Sequence, residues 1–316
     1  MSATPNHPAV LFPGQGSQEK GMGRALAELS SEAAELWLLA EKASGLPLRE
    51  IYWDGDDSAM ADTRALQPAM TAVTLGLWFH LKSKLSPAVG FAGHSLGEYA
   101  ALAASGMLGI VDVFELTSLR GRLMAEAAGG DGKMAAVLKL SLEDIEDVVR
   151  CASEQSGKIL LVANYNSPGQ YVISGEAAAV EAAAGLVKER KGRAVMLAVS
   201  GAFHSPLMAE PAAELEKVLR KTGLRTPVAG PVYFNVTGGP ESDPAKALPL
   251  MIRQMTSQVR WIDTVAALWR AGARTFVELG PKGVLTKLLA ANLKDAAEPY
   301  AGVSVADPAA AAALEA

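Results

Sequence analysis

One cysteine, Cys151, stands in the whole 316-residue chain, which excludes an intrachain disulfide framework and any multi-cysteine metal site. Histidine is nearly as scarce, with only His7, His80, His94 and His204. No unbroken run of about 18 apolar residues occurs, so a membrane-spanning helix is excluded. The N-terminal MSATPNHPAVLFPG lacks a basic segment, and its apolar run is too short for a signal peptide. The expected compartment is therefore a reducing cytoplasm. Excess positive charge is missing as well: 29 basic against 34 acidic side chains leave a formal charge of −5. Nucleic-acid binders need a basic face to displace counterions, so that class of partner is excluded. What is present is an ordinary globular composition, half hydrophobic and a fifth charged. Its length predicts one large core, or a main domain carrying an insertion.

The chain has an α/β rhythm. Ala9–Phe12 reads as a buried strand stopped by Pro13-Gly14, and Met22–Ala43 as a helix ending before Gly45 and Pro47. A second helix is predicted over Gln67–Leu85, with Pro68 in its first turn, where a missing N–H does no harm. Val89–Ala92 is a short apolar strand, followed at once by GHSLG at 93–97 and a helix over Glu98–Ala104. Such strands, apolar on both faces, predict a parallel sheet covered by helices.

The middle of the chain is organised differently. Met134–Leu140, Ile159–Ala163, Gln170–Ser174 and Ala194–Val199 read as strands, with helices over Leu142–Cys151 and Ala177–Lys188 and a turn at Asn166-Ser167-Pro168-Gly169. The order βαββαβ is that of a ferredoxin-like unit. Gly129-Gly130-Asp131-Gly132 and Ser200-Gly201 mark its ends, so residues 130–200 are predicted to be a small domain inserted between 1–129 and 201–316. A helix over Pro211–Lys221, a strand at Val232–Val236, a helix over Trp261–Ala271 and a strand at Thr275–Leu279 follow. The closing Ala-rich segment is expected to fray or pack loosely.

The strongest local chemical signal is GHSLG. In a nucleophile elbow, a serine on a sharp strand-to-helix turn projects its hydroxyl clear of the sheet, and the flanking glycines let neighbouring backbone approach. The following helix N-terminus favours a developing oxyanion, with the Leu96 amide as the natural donor. A serine hydroxyl needs a base, and the histidine census makes the search short. His94 adjoins Ser95 and projects elsewhere, which suits it to lining the site. His7 lies in the N-terminal tail, and His80 late in an apolar helix. His204, in the loop Ala202-Phe203-His204-Ser205-Pro206, is left as the partner. The opening PGQGSQ fails the dinucleotide pattern at Glu19 and the phosphate-loop pattern at Met22. It fits better as the second half of an oxyanion hole, with the Gln15 N–H as donor.

LFPGQGSQ (11–18), GHSLGEYAAL (93–102), Arg120 in LRGRLM, NYNSPGQYVISG (164–175), GAFHSPLM (201–208) and ELGPKGVLTKL (279–289) occur together and in order. This combination resembles the malonyl-CoA:acyl carrier protein transacylases, of the acyltransferase family shared by fatty-acid and polyketide synthases. The resemblance implies a hydrolase-like α/β core with an inserted ferredoxin-like domain. It makes Ser95 the nucleophile, His204 the general base, and the Gln15 and Leu96 amides the oxyanion hole. It assigns Arg120 to the free carboxylate of the malonyl group, which a permanently charged guanidinium can grip through two parallel bonds. Asn166 and Gln254 match positions near the family's active site, where a carbonyl at the Gln254 position orients the histidine. Phe203, before the histidine, matches a position whose bulk goes with malonyl rather than methylmalonyl. Many members carry an Asn-Pro step shortly before the tryptophan matching Trp261; this chain reads Thr256-Ser257-Gln258-Val259-Arg260-Trp261, which implies a less rigid loop around Gln254.

The implied reaction is ping-pong acyl transfer from malonyl-CoA through a malonyl-serine ester to acyl carrier protein. Neither metal nor permanently bound cofactor is implied: the coenzyme A thioester is a substrate, and the phosphopantetheine arm belongs to the partner. Fatty-acid rather than polyketide elongation is the expected use of a free-standing chain, and nothing demands more than a monomer. An acidic carrier protein needs a local basic patch, for which Lys188-Glu189-Arg190-Lys191 and Arg120–Arg122 are candidates. A thioesterase, with no use for Arg120, and a catalytically idle docking module are the rival readings.

Overall fold

Ala9, Val10, Leu11 and Phe12 are completely shielded from solvent. In the computed structural model this run is the first strand, β1, inside the main sheet rather than on its edge. The structure describes residues 7–85, 87–127, 130–199 and 201–313. In chain order the further strands are β2 (Gly90–Gly93), β3 (Gly132–Leu138), β4 (Leu160–Ser167), β5 (Gln170–Glu176), β6 (Arg193–Met196), β7 (Val232–Phe234), β8 (Gly239–Glu241), β9 (Thr275–Leu279) and β10 (Ala301–Val305). One sheet has the order β10-β9-β1-β2-β7-β8, and the other β4-β5-β3-β6. Within the first, every pairing is parallel except β7 with β8. Within the second, every pairing is antiparallel. The architecture is mixed α/β, as the apolar strands imply.

Helices supply the cover that such strands require. Thr63–Leu85 is buried on almost all sides and packs against Ser31–Ser44 and Ile110–Ala127. A helix apolar all round is a core helix, and this one anchors the main hydrophobic cluster. The smaller sheet carries the helices Leu142–Ser156 and Ala177–Glu189, and Val137, Ile145, Val148, Ile173 and Val180 close a separate core beneath them. The smaller sheet is joined to the loop before the helix Trp261–Arg270, where the Val259 N–H donates to the Ala163 carbonyl at 2.8 Å and the Tyr165 N–H to the Val259 carbonyl at 2.9 Å. Among the described residues no helix is long and apolar enough to cross a membrane.

Several elements depart from the sequence reading. Met22–Ala43 is two helices, Arg24–Leu29 and Ser31–Ser44, because extended Ser30 breaks the run and its hydroxyl accepts the Ala33 N–H. The helix expected from Gln67 begins at Thr63, after Asp62 has accepted the Arg64 N–H at 2.9 Å. Pro68 therefore stands in the second turn, where it forgoes the bond a helix interior would make to the Arg64 carbonyl. Asn166 and Ser167 continue β4, leaving Pro168-Gly169 as the turn, and the strand expected to reach Val199 stops at Met196. The Ala-rich end forms the helix Pro308–Ala313 with Ala311 buried, not a loose segment. The helices Ile110–Ala127, Pro244–Arg253 and Val284–Asn292 and the strand β10 are not anticipated from the sequence. Gly129 and Ser200, at the expected ends of the small domain, lie outside the described residues.

Candidate active site

The carboxyl end of β2 turns into the helix Gly97–Ser105 within three residues. That turn is possible only because both flanks are glycine. A Cβ on Gly93 would fall 1.9 Å from the Gly97 carbonyl carbon, and one on Gly97 would fall 2.0 Å from the Phe12 carbonyl oxygen. Ser95, at the apex, has the left-handed φ of 52°, which costs a non-glycine residue roughly 1–2 kcal/mol. Asn235, just beyond β7, holds it there: its Oδ1 accepts the Ser95 N–H at 2.6 Å, and its Nδ2 donates to the Gly93 carbonyl at 2.7 Å.

His204 meets this hydroxyl from the loop preceding the helix Ala209–Leu219, with Nε2 2.7 Å from Ser95 Oγ. On its other side Nδ1 lies 3.1 Å from the carbonyl oxygens of both Gln254 and Ser257, so Nδ1 carries the proton and Nε2 is left as the acceptor. Burial, then the nearby Arg120 charge and His94, push the imidazole from its ordinary range down to about 3. His204 is therefore neutral at neutral pH.

Arg120, from the helix Ile110–Ala127, is 1% exposed. Its guanidinium donates to Gln67 Oε1 at 2.9 Å, Gln254 Oε1 at 3.2 Å and Ser95 Oγ at 3.1 Å, and lies 5.6 Å from the Tyr99 ring centroid. All three acceptors are neutral. A buried cation beside a nucleophile, held by neutral carbonyls and a hydroxyl, keeps its charge available for an anion brought in by substrate. Burial lowers its pKa from the ordinary arginine value, against raising contributions from Tyr99 and Glu98. The burial of Arg120 removes it from any docking surface. Arg122, two residues on, is exposed and pairs with Glu126.

The remaining candidates gather at the same place. His94 Nε2 lies 2.8 Å from Asn166 Oδ1, and Asn292 Nδ2 donates to the Asn166 carbonyl at 2.9 Å. Burial lowers the His94 pKa, and its ring packs 5.6 Å from Trp261. The Gln15 loop abuts the elbow, since a Cβ on Gly14 would meet the His94 carbonyl oxygen at 2.4 Å and the Leu96 nitrogen at 3.7 Å. Among the described residues neither the Gln15 nor the Leu96 N–H donates to a protein acceptor. Gln15, Ser95, Leu96, Arg120, Phe203 and His204 together line a cleft of about 100 Å³. The 256–260 loop is tied to β4 through Val259, and Gln258 Nε2 donates to the Tyr165 hydroxyl at 3.3 Å. Of the other histidines, His80 is exposed on its helix and His7 precedes β1.

Three polar residues at this site were not anticipated. Asn235 and Gln67 lie far along the chain from Ser95, and Glu98, inside the GHSLGEYAAL run, is completely buried. Gln67 and Glu98 are polar side chains in otherwise apolar helical runs, the one local signal available. Among the described residues no group of three or more His, Cys, Asp or Glu side chains is placed to hold a metal ion.

Residues 10–312 match the acyl transferase domain family. The malonyl CoA-acyl carrier protein transacylase of Bacillus subtilis is 38% identical over 284 residues, covering 89% of this chain and 89% of the relative. The same-named protein of Haemophilus influenzae is 38% identical over 288 residues, covering 89% and 90%. Among solved structures, the acyl carrier protein S-malonyltransferase of Vibrio cholerae superposes with a TM-score of 0.90 at 36% identity, covering 98% of this chain and 99% of its own. A malonyl-transacylase solved in complex with a type II polyketide-synthase acyl-carrier protein superposes at 0.90 and 34% identity, covering 97% and 98%.

Proposed function

The chain belongs to the acyl transferase domain family, and on that footing we propose which of its residues perform the reaction it catalyses, transfer of the malonyl group from malonyl-CoA to acyl carrier protein. His204 Nε2 takes the Ser95 proton as Oγ attacks the thioester carbonyl, a transfer supported by the 2.7 Å contact already in place. The tetrahedral oxyanion forms between the Gln15 and Leu96 amides, and His204 returns its proton to the departing coenzyme A sulfur. The carrier's phosphopantetheine thiol then gives its proton to His204 and attacks the malonyl-serine ester; the ester C–O bond breaks and His204 returns the proton to Ser95 Oγ, which restores the free hydroxyl. Donor and acceptor end in the same thiol arm, so one cleft serves both half-reactions. The Gln254 and Ser257 carbonyls hold the imidazole tautomer that a triad carboxylate holds in other hydrolase-like enzymes.

The observation that carries this reading is Arg120. A buried guanidinium 3.1 Å from the nucleophile, bound only to neutral partners, fits an acyl group that ends in a carboxylate. Phe203 lines the same cleft and fills space that the extra methyl of methylmalonyl needs; such steric exclusion is worth about 1–3 kcal/mol, so the preference is graded. Residues 130–200 form a ferredoxin-like insert in a hydrolase-like core made of 1–129 and 201–316, a division supported by the order β4-β5-β3-β6 and the separate apolar core. The small domain then forms one wall of the cleft through Met134, Asn164, Leu197 and Val199.

Initial rates at varied malonyl-CoA and holo-carrier protein test the assignment. Parallel double-reciprocal lines with malonyl-carrier protein as the main product are expected. Free malonate as the main product would make the chain a thioesterase.

A further inference from the structure

Glu98 is a carboxyl group completely removed from solvent and unused by the chemistry above. It lies one residue past the elbow, and both its oxygens are engaged by donors: the Asn235 N–H reaches Oε2 at 2.6 Å, and Gln254 Nε2 reaches Oε1 at 3.0 Å. Each donor belongs to a residue that touches the reacting groups. The Asn235 side chain holds the left-handed Ser95 backbone. Gln254 donates through Nε2 to the Ser95 carbonyl at 2.9 Å, accepts Arg120 on Oε1 at 3.2 Å, and offers its backbone carbonyl to His204 Nδ1 at 3.1 Å.

A carboxamide has one donating and one accepting end, so its orientation is decided by what it faces. With two acceptors, the Ser95 carbonyl and Glu98, at its nitrogen, the Gln254 amide must turn its oxygen to Arg120. Buried polar groups left facing their own kind are costly, which makes this choice firm.

We propose that Glu98 is a positioning residue: by accepting from Asn235 and Gln254 together, it fixes the amide that holds Arg120 beside Ser95, and so sets the preference for acyl groups bearing a carboxylate. This rests on the assignment of Arg120 to the malonyl carboxylate. In Glu98→Gln the new amide must keep its oxygen on the Asn235 N–H, which cannot be reversed, and so aims its nitrogen at Gln254. Gln254 then cannot keep all its partners: held by the Ser95 carbonyl and Arg120, its nitrogen is opposed to the new one and pushed away, and turned over it presents N–H groups to the guanidinium, so in either case its hold on Arg120 weakens.

The test is the ratio of acylation rates with malonyl-CoA and acetyl-CoA, read by intact mass in single turnover, for wild type, Arg120→Ala, Glu98→Gln, Gln254→Ala and the Glu98→Gln/Gln254→Ala double variant. Glu98→Gln is expected to lower the malonyl-to-acetyl ratio about tenfold or more, the worth of one hydrogen bond to a charged group. In the Gln254→Ala background it should lower the ratio no further. General loosening of the fold slows both acyl groups alike and leaves the ratio unmoved. An unchanged ratio in Glu98→Gln, with wild type selective and Arg120→Ala unselective, overturns this inference alone; so does a full additional loss in the double variant. An unselective wild type overturns the Arg120 assignment and this inference with it. Should Glu98→Gln fail to fold, Gln254→Ala decides: an undiminished ratio removes the route through which Glu98 acts.

Discussion

Ser95 and His204 face each other across 2.7 Å, and both have left-handed backbones, with φ of 52° and 57°. Neither is glycine, so strain is held at both ends of the contact, where it keeps the hydroxyl and the imidazole pointing at one another. Removing the Ser95 hydroxyl separates strain from chemistry. Ser95→Gly and Ser95→Ala both lose acyl transfer, but Ser95→Gly is expected to be the more stable by about 1 kcal/mol, because glycine adopts positive φ freely. Urea unfolding of the two variants measures the difference; equal stability, or a more stable alanine variant, would contradict the strain.

Arg120→Ala separates carboxylate recognition from catalysis. Its guanidinium touches Ser95 Oγ, yet the proton route runs through His204. Malonyl transfer should fall by roughly 10²-fold or more, as expected for loss of a charge-assisted contact worth about 3 kcal/mol. Acetyl transfer should persist or increase. Parallel loss of both activities would show that Arg120 supports the structure of the site rather than selecting its substrate.

The pH dependence follows from the neutral His204. Burial, the Arg120 charge and His94 hold its pKa near about 3. A lowered pKa means that the proton which inactivates the base arrives only at lower pH. The acid limb of kcat/KM with acetyl-CoA should therefore lie well below the ordinary histidine value of about 6.5. Deleting the Arg120 charge removes one cause of the depression, so the limb should move upward in Arg120→Ala. A bound malonyl carboxylate offsets the same charge, placing the kcat limb for malonyl-CoA above the kcat/KM limb. Rate profiles carried from pH 8 to below the His204 value of about 3 decide this, and a limb that moves down in the variant would contradict it.

The parts of the site legible in the sequence were those written locally. Gly93 and Gly97 around Ser95, a strand before and a helix after, announce the elbow because the steric demand falls on adjacent residues. His204 emerged from scarcity. Arg120 was different: taken alone it reads as a solvated helix arginine, and only the family resemblance gave it a role, whereas the fold buries it at 1% exposure. Glu98 shows only as a polar residue in an apolar helical run, and its pairing with Asn235 left no trace because the hydrogen bond joins positions 137 residues apart, which no periodicity records. The bounds of the Arg120 helix, Ile110–Ala127, are not legible in the sequence, although that helix brings Arg120 to the cleft. Pro68 misled in the opposite direction: proline usually marks a helix start, but here Asp62 had begun the helix a turn earlier.

The central claim is that Ser95 carries the malonyl group between two thiols. Intact mass spectrometry after brief exposure to malonyl-CoA, followed by peptide mapping, tests it directly. A single malonyl adduct on the Ser95 peptide, absent in Ser95→Ala and discharged onto holo-acyl carrier protein faster than onto water, is the predicted result. An adduct that survives Ser95→Ala, or malonyl transfer that continues without any adduct on Ser95, would contradict it.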